Sequence, residues 1–285
     1  MGRRPRMFRE KLIDYRDRVS VLVWVVLLGL AVQRLLALPT VVITGPMLGS
    51  PITLTITTNT LLGLILAGLA ASGTDAVVRA HPLSYSGELG PRWLYWGGPV
   101  ALTGVALLLL PAAPSRLYWL AGLTLTGVAL GLSLAGIYYT MDPFATGYRR
   151  ARLAMNALTY GVALVMYLVV YRTRVRSIVS ATEVMLLSTL LALELLRGSR
   201  RPTLQVGIYA GIAGLVLGQA TWALNYMRLQ SLTGGLILLL LFYNIVGLSQ
   251  HAIQGRIGRR VVIEFGLITI AALALIWEFA PRAGG

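Results

Sequence analysis

The 285-residue chain contains no cysteine, which removes disulfides, thiolate metal sites and cysteine nucleophiles together. Histidine is nearly absent too, with two residues, and Lys11 is the only lysine among 25 basic side chains. Charged residues make up 12% of the chain, against roughly 25% in an ordinary soluble domain. Catalytic signatures are missing as well. There is no G-x-S-x-G elbow, no H-E-x-x-H, no P-loop and no G-x-G-x-x-G. The paired aspartates of membrane prenyltransferases and CDP-alcohol phosphotransferases are not found, and Ser86-Gly87 lacks the glycine that precedes it in a rhomboid-type motif. The longest connection, 73–95, holds Asp75, Arg79, His81, Tyr85 and Glu88, but without the spacing of a metal-ligand set. Neither an enzyme, a metal nor a cofactor is expected.

What the chain does have is apolar length. Hydrophobic residues make up 56% and the mean hydropathy is +0.74, more apolar surface than a soluble fold of this size can hide. A bilayer core of about 30 Å takes roughly 20 helical residues. Nine runs approach that length: 19–38, 52–72, 96–113, 117–138, 152–171, 177–196, 203–224, 231–250 and 261–280. The expectation is therefore an all-α polytopic bundle of nine spans. Eight is the fallback, because the third run is short and the ninth contains Glu264. Prolines fall between runs (Pro39, Pro46, Pro51, Pro82, Pro91, Pro114, Pro143, Pro202) or at a run's last turn (Pro111), and Pro99 alone enters one near its start. It does so in the first turn, where a missing N–H costs little.

The formal net charge is +15. Nucleic acid is not the reading, because the charges sit at the ends of apolar runs, as the positive-inside bias puts them. With the N-terminus in the cytoplasm, 18 basic residues fall inside, six outside, and Arg34 within a span. The trio Arg172, Arg174 and Arg176 violates the bias. The domain reading is a basic cytoplasmic segment over 1–18, able to lie as an interfacial helix, a single transmembrane domain over 19–280, and a short tail over 281–285. The first run is long for a signal-peptide core and is read as uncleaved. The expected surroundings are the lipid bilayer of a bacterial inner membrane, with a membrane-protein partner or a second copy as possible company.

Ionisable residues inside spans cost several kcal/mol unless paired or wet, so they mark candidate sites. Glu264 follows Arg260 by one turn, which predicts a local pair. Glu194 precedes Arg197 by three residues, which predicts snorkelling and pairing with Arg197 or Arg200. Glu183 lies deeper, eleven residues before Glu194. At 100° per residue the two carboxylates share a helix face, about 16 Å apart. Arg34 is one turn from the outer end of the first span, beside Gln33, and is predicted to pair with Glu183. Asn59, Asn156, Gln219, Asn225 and Asn244 need hydrogen-bond partners in a span. The candidate buried polar site is thus Arg34, Glu183, Asn59, Gln219 and Asn244. Three G-x-x-x-G pairs, Gly127/Gly131, Gly207/Gly211 and Gly214/Gly218, predict close helix packing.

The last third carries a recurring pattern. It runs Trp222-Ala-Leu-Asn225-Tyr226, Gly234-Gly235 before a leucine run, Phe242-Tyr243, Gly247 and Gln250-His251. Gly255-Arg256, Arg259-Arg260 and Glu264-Phe265 close it. Over roughly 205–270 this resembles an uncharacterised family of polytopic membrane proteins, a domain of unknown function seen in Chloroflexi-like bacteria. The resemblance implies a bacterial inner membrane and assigns no site. The functional expectation is a non-enzymatic membrane protein that binds or assembles around a polar core. A carrier or flippase for a lipid-like or small amphipathic substrate is the alternative, and a lipid-modifying enzyme the third reading.

Overall fold

The computed structural model describes the backbone of residues 4–36, 39–47, 50–84, 90–173, 177–198, 203–227 and 229–279. Within these, side chains are described for 15–36, 39–42, 57–84, 90–172, 179–198, 203–227 and 229–279. The described residues form nine α-helices: α1 (Arg4–Val32), α2 (Thr58–Ala80), α3 (Gly97–Leu109), α4 (Arg116–Tyr139), α5 (Tyr148–Thr173), α6 (Ser177–Leu196), α7 (Thr203–Asn225), α8 (Ser231–Ile253) and α9 (Arg259–Phe279). Seven of them are long and apolar enough to cross a membrane. The other two are α1 and α3. The apolar part of α1 ends at Val32, and α3 has 13 residues, or about 20 Å at 1.5 Å per residue.

Three expectations change in the structure. The bundle is not purely α, because β1 (Val41–Met47) and β2 (Ser50–Ile56) form an antiparallel hairpin between α1 and α2, with Val41 opposite Ile56 and Met47 opposite Ser50. The second helix accordingly starts at Thr58 rather than 52. The run Ile52-Thr53-Leu54-Thr55-Ile56 is as apolar as a helix but rich in β-branched residues, which fit a pleated strand. The stop is local: the Thr57 side chain accepts a hydrogen bond from the Thr60 N–H and caps α2. At its other end α2 runs on to Ala80, past 72, carrying Asp75 and Arg79. At the start of the chain, α1 runs unbroken from Arg4 through the basic segment into the apolar stretch. The tail 281–285, with Tyr85, Glu88, Arg174, Arg176 and Arg200, lies outside the described residues.

Contacts between helix ends show that successive helices alternate in direction. Tyr15 of α1 stacks on Tyr138 at the end of α4, and His81, just past α2, meets the edge of the same ring. Arg197, after α6, reaches Thr140 after α4, and Arg152 near the start of α5 reaches α6 carbonyls. Gln250 near the end of α8 also reaches Leu195, at 3.4 Å. At the opposite end Asn225 of α7 donates to Ser180 of α6 over 2.9 Å. The core is one cluster shared by α1 to α8, with Tyr167, Phe242, Leu134, Leu191 and Leu195 fully enclosed. Apolar side chains also cover the outside: Leu64, Leu132, Leu186 and Leu267 are all more than half exposed. Helix α9 rests on α8, and none of its apolar stretch is buried.

The glycine pairs divide. A Cβ on Gly214 would strike the Thr189 hydroxyl and the Met185 carbonyl, and one on Gly218 would lie 3.0 Å from the Ala181 carbonyl. That pair presses α7 onto α6. Gly127 meets the Leu27 side chain at 2.9 Å and Gly207 the Trp93 ring at 3.4 Å, while Gly131 and Gly211 meet nothing within 4 Å.

Candidate functional site

Two polar regions stand at opposite ends of the bundle. The first is a recess of about 220 Å³ lined by Gln33, Arg34, Asn59, Leu110, Pro111, Ala113 and Trp119. Four helix ends build it. The turn after α1 supplies Gln33 and Arg34, the first turn of α2 supplies Asn59, the exit from α3 supplies Leu110, Pro111 and Ala113, and the first turn of α4 supplies Trp119. Gln33 ties the first three together, its Nε2 donating to Asn59 Oδ1 over 3.0 Å and to the Leu107 carbonyl over 3.2 Å. The Arg34 guanidinium lies 5.4 Å from the centre of the Trp119 ring, a cation–π distance. No carboxylate pairs with Arg34 among the described residues. Leu35, Leu117, Tyr118 and Leu120 around it are exposed.

The second region is buried. Glu194 and Arg197 pair at 2.7 Å, with side chains 1% and 4% exposed. Arg197 also donates to Thr140 Oγ1 over 3.0 Å and lies 5.1 Å over the Tyr95 ring. Arg152 does not share the carboxylate. It donates to the backbone carbonyls of Glu194, over 3.3 Å, and Leu195, two of the carbonyls that the end of α6 leaves without intrahelical partners. The remaining carboxylate oxygen, Glu194 Oε2, has no hydrogen-bond partner, and neither do Ser133 Oγ or Trp96 Nε1. Beside this cluster sit Tyr15, Tyr138 and His81. The leading effect of burial pushes the Tyr15 phenol up to about 12 and lowers His81 below its ordinary value, with Asp142 opposing the His81 shift. His81 Nδ1 accepts the Leu83 N–H at 3.2 Å.

Of the residues singled out in the sequence, Arg34 and Asn59 come together in the recess. Glu183 does not join them. It sits half-buried on α6, whose packing partners include α7, α3 and α5, while α1 packs on α2 and α4. No ion pair joins Arg34 to Glu183. Gln219 is exposed on α7. Asn244 joins α8 to α9, its Oδ1 accepting the Thr269 hydroxyl at 3.0 Å. Glu264 and Arg260 are both exposed and form no pair among the described residues. Asp75 and Arg79 do pair, at 2.7 Å, and Asp75 also lies 3.4 Å from Arg92. Sequence reasoning missed Arg152, Ser133, Trp96 and Thr140. Each is unremarkable alone, and only Arg152 carried a signal, a basic residue at the very start of an apolar run. No three His, Asp or Glu residues gather in a way that could hold a metal among the described residues.

Length, hydropathy and the alternating helices define a polytopic helical protein, seven of whose described helices are long and apolar enough to cross a membrane. Residues 38–278 match the family described as protein of unknown function (DUF5656), and the chain belongs to that family. No curated protein and no solved structure matches the chain.

Proposed function

We infer that this is a non-enzymatic integral membrane protein that binds an anionic amphiphile at the Arg34 recess. The observation that carries the reading is Arg34 itself. It is a cation at the mouth of a small cavity, stacked on Trp119, flanked by two carboxamides and left without a carboxylate among the described residues. A phosphate or carboxylate would satisfy its donors. Gln33 and Asn59 are placed to bond ester or hydroxyl groups next to that acid, and the exposed leucines around the mouth suit acyl chains. The opposite end of the bundle carries Arg16, Arg18, Arg79, Arg92, Arg149 and Arg150, among others, so the positive-inside bias puts that end in the cytoplasm and the recess on the outer side. A bacterial inner membrane fits this orientation.

The test is native mass spectrometry from mild detergent with phosphatidylglycerol or phosphatidylcholine added. The wild-type protein retains the anionic lipid in preference, and Arg34→Gln abolishes the preference while remaining folded. Equal retention of both lipids, or an unchanged preference in Arg34→Gln, overturns the reading. A carrier is the second reading, supported by Glu183, a half-buried carboxylate with no ion-pair partner among the described residues. It requires Glu183→Gln to lose lipid transfer between leaflets of proteoliposomes without losing stability.

A further inference from the structure

The start of α3 is enclosed by protein. Gly97, Gly98 and Pro99 are all buried, and a Cβ on Gly97 would strike the Leu190 carbonyl of α6. The first turn of a helix leaves N–H groups without intrahelical partners, and their dipole favours negative charge nearby. Here the negative charge is Glu194. A Cβ built on Gly98 would stand 3.1 Å from Ser133 Oγ and 3.2 Å from Glu194 Oε2, and these two oxygens with Glu194 Cδ are the three nearest atoms to that point. Both side chains are 1% exposed and both oxygens lack a partner. So does the indole nitrogen of Trp96, the residue immediately before α3.

Two unpartnered oxygens, from α4 and α6, therefore converge beside Gly98, and the unpartnered indole belongs to the residue two positions before that glycine. An unmade hydrogen bond at a buried polar group costs about 1–3 kcal/mol, more for a charged one, so one ligand serving all three is strongly favoured. Its chemistry is constrained. Glu194 Oε2 only accepts, the indole N–H only donates, and the serine hydroxyl does both. The ligand must therefore donate and accept. A cation is disfavoured by Arg197, which already holds the other carboxylate oxygen, and by Arg152 on the Glu194 carbonyl. An anion is excluded by the carboxylate.

We propose that the start of α3 is an internal water-binding site, in which a water molecule bridges Glu194 Oε2 and Ser133 Oγ and accepts from the Trp96 indole. A buried water of this kind typically makes two to four hydrogen bonds. It solvates from within the one carboxylate oxygen that Arg197 leaves free, and it joins α4 to α6 beside the start of α3. The site is separate from the Arg34 recess and does not depend on the lipid reading.

Water-edited solid-state NMR on the full-length, carbon-13-labelled protein in bilayers tests this. Magnetisation from water builds up at Ser133 Cβ and Glu194 Cδ several-fold faster than at Leu134, the next residue to Ser133 and fully buried. Gly98→Ala puts a methyl between the two oxygens and slows both build-ups several-fold, with the Arg197–Glu194 contact retained. Should Gly98→Ala fail to fold, Ser133→Ala removes one of the water's partners and slows the build-up at Glu194. Build-up at Ser133 and Glu194 as slow as at Leu134, or rates unchanged in the variants, overturns the proposal.

Discussion

Arg152 and Glu194 are neighbours that do not form a salt bridge: the guanidinium bonds the main-chain carbonyls of Glu194 and Leu195 and leaves the carboxylate to Arg197. The two arginines therefore do different work at one place. Arg152 closes the C-terminus of α6, where a cation is favoured by the helix dipole. Arg197 neutralises the carboxylate and carries it to Thr140 on the loop after α4. Three helix ends are held by one acidic residue and two basic ones.

Breaking that pair from one side is predicted to be costly. Removing one partner of a buried ion pair leaves an uncompensated charge, at about 3–5 kcal/mol. Arg197→Met and Glu194→Leu alone each destabilise by that order. The double variant loses clearly less than the sum, because neither charge is stranded. Equilibrium unfolding in mixed micelles measures the cycle, and additive losses show that the two side chains do not interact.

The glycine contacts separate two positions that look alike in sequence. Gly214→Ala forces a methyl against the Thr189 hydroxyl and the α6 main chain, and overpacking of this kind costs about 1–3 kcal/mol. Gly211→Ala, one turn earlier with open space around it, stays within about 0.5 kcal/mol of wild type. Comparable losses in both variants contradict the α6–α7 packing described.

These contrasts mark what the sequence could and could not say. Hydropathy located the helices because a spanning helix must be apolar over its length. It misplaced the start of α2 because Ile52–Ile56 is as apolar as a helix and differs only in branching, and Thr57 sets the true start. The Glu194–Arg197 pair was legible because three residues along a helix fix proximity. The neighbour of Arg34 was not. Alternation places Arg34 and Glu183 toward the same end, but which helices lie side by side is a tertiary fact, and α1 packs on α2 and α4 rather than on α6. Arg152 looked like a topology signal, since its partners lie 42 and 43 residues away.

Helix α9 hangs on a short list of contacts with α8, among them the Thr269–Asn244 hydrogen bond and Phe265 against Gly247. Interhelical hydrogen bonds in membranes average about 0.6 kcal/mol. Thr269→Val is expected to weaken the α8–α9 contact by that order and to leave global unfolding nearly unchanged. Gly247→Leu, which displaces the Phe265 ring, is expected to release α9 far more. Cysteine pairs across α8 and α9, in a chain with no native cysteine, report the effect as cross-linking yield. Equal yields in wild type and Gly247→Leu exclude the packing.

His81 gives the chain a pH dependence of definite sign. It is almost wholly enclosed beside Tyr138, its Nδ1 accepts the Leu83 N–H, and burial lowers its pKa below the ordinary value of 6.5. The folded state therefore prefers neutral imidazole, and the unfolded chain binds a proton first as pH falls. Stability is full above about pH 6.5 and is lost as pH falls below it, until the folded-state pKa is reached. Asp142 opposes the shift and narrows that window. In His81→Asn the side-chain oxygen can still accept the Leu83 N–H but cannot titrate. Thermal midpoints measured from pH 8 to 5 should fall more steeply in wild type than in His81→Asn. Parallel curves mean that His81 is not held neutral by its surroundings.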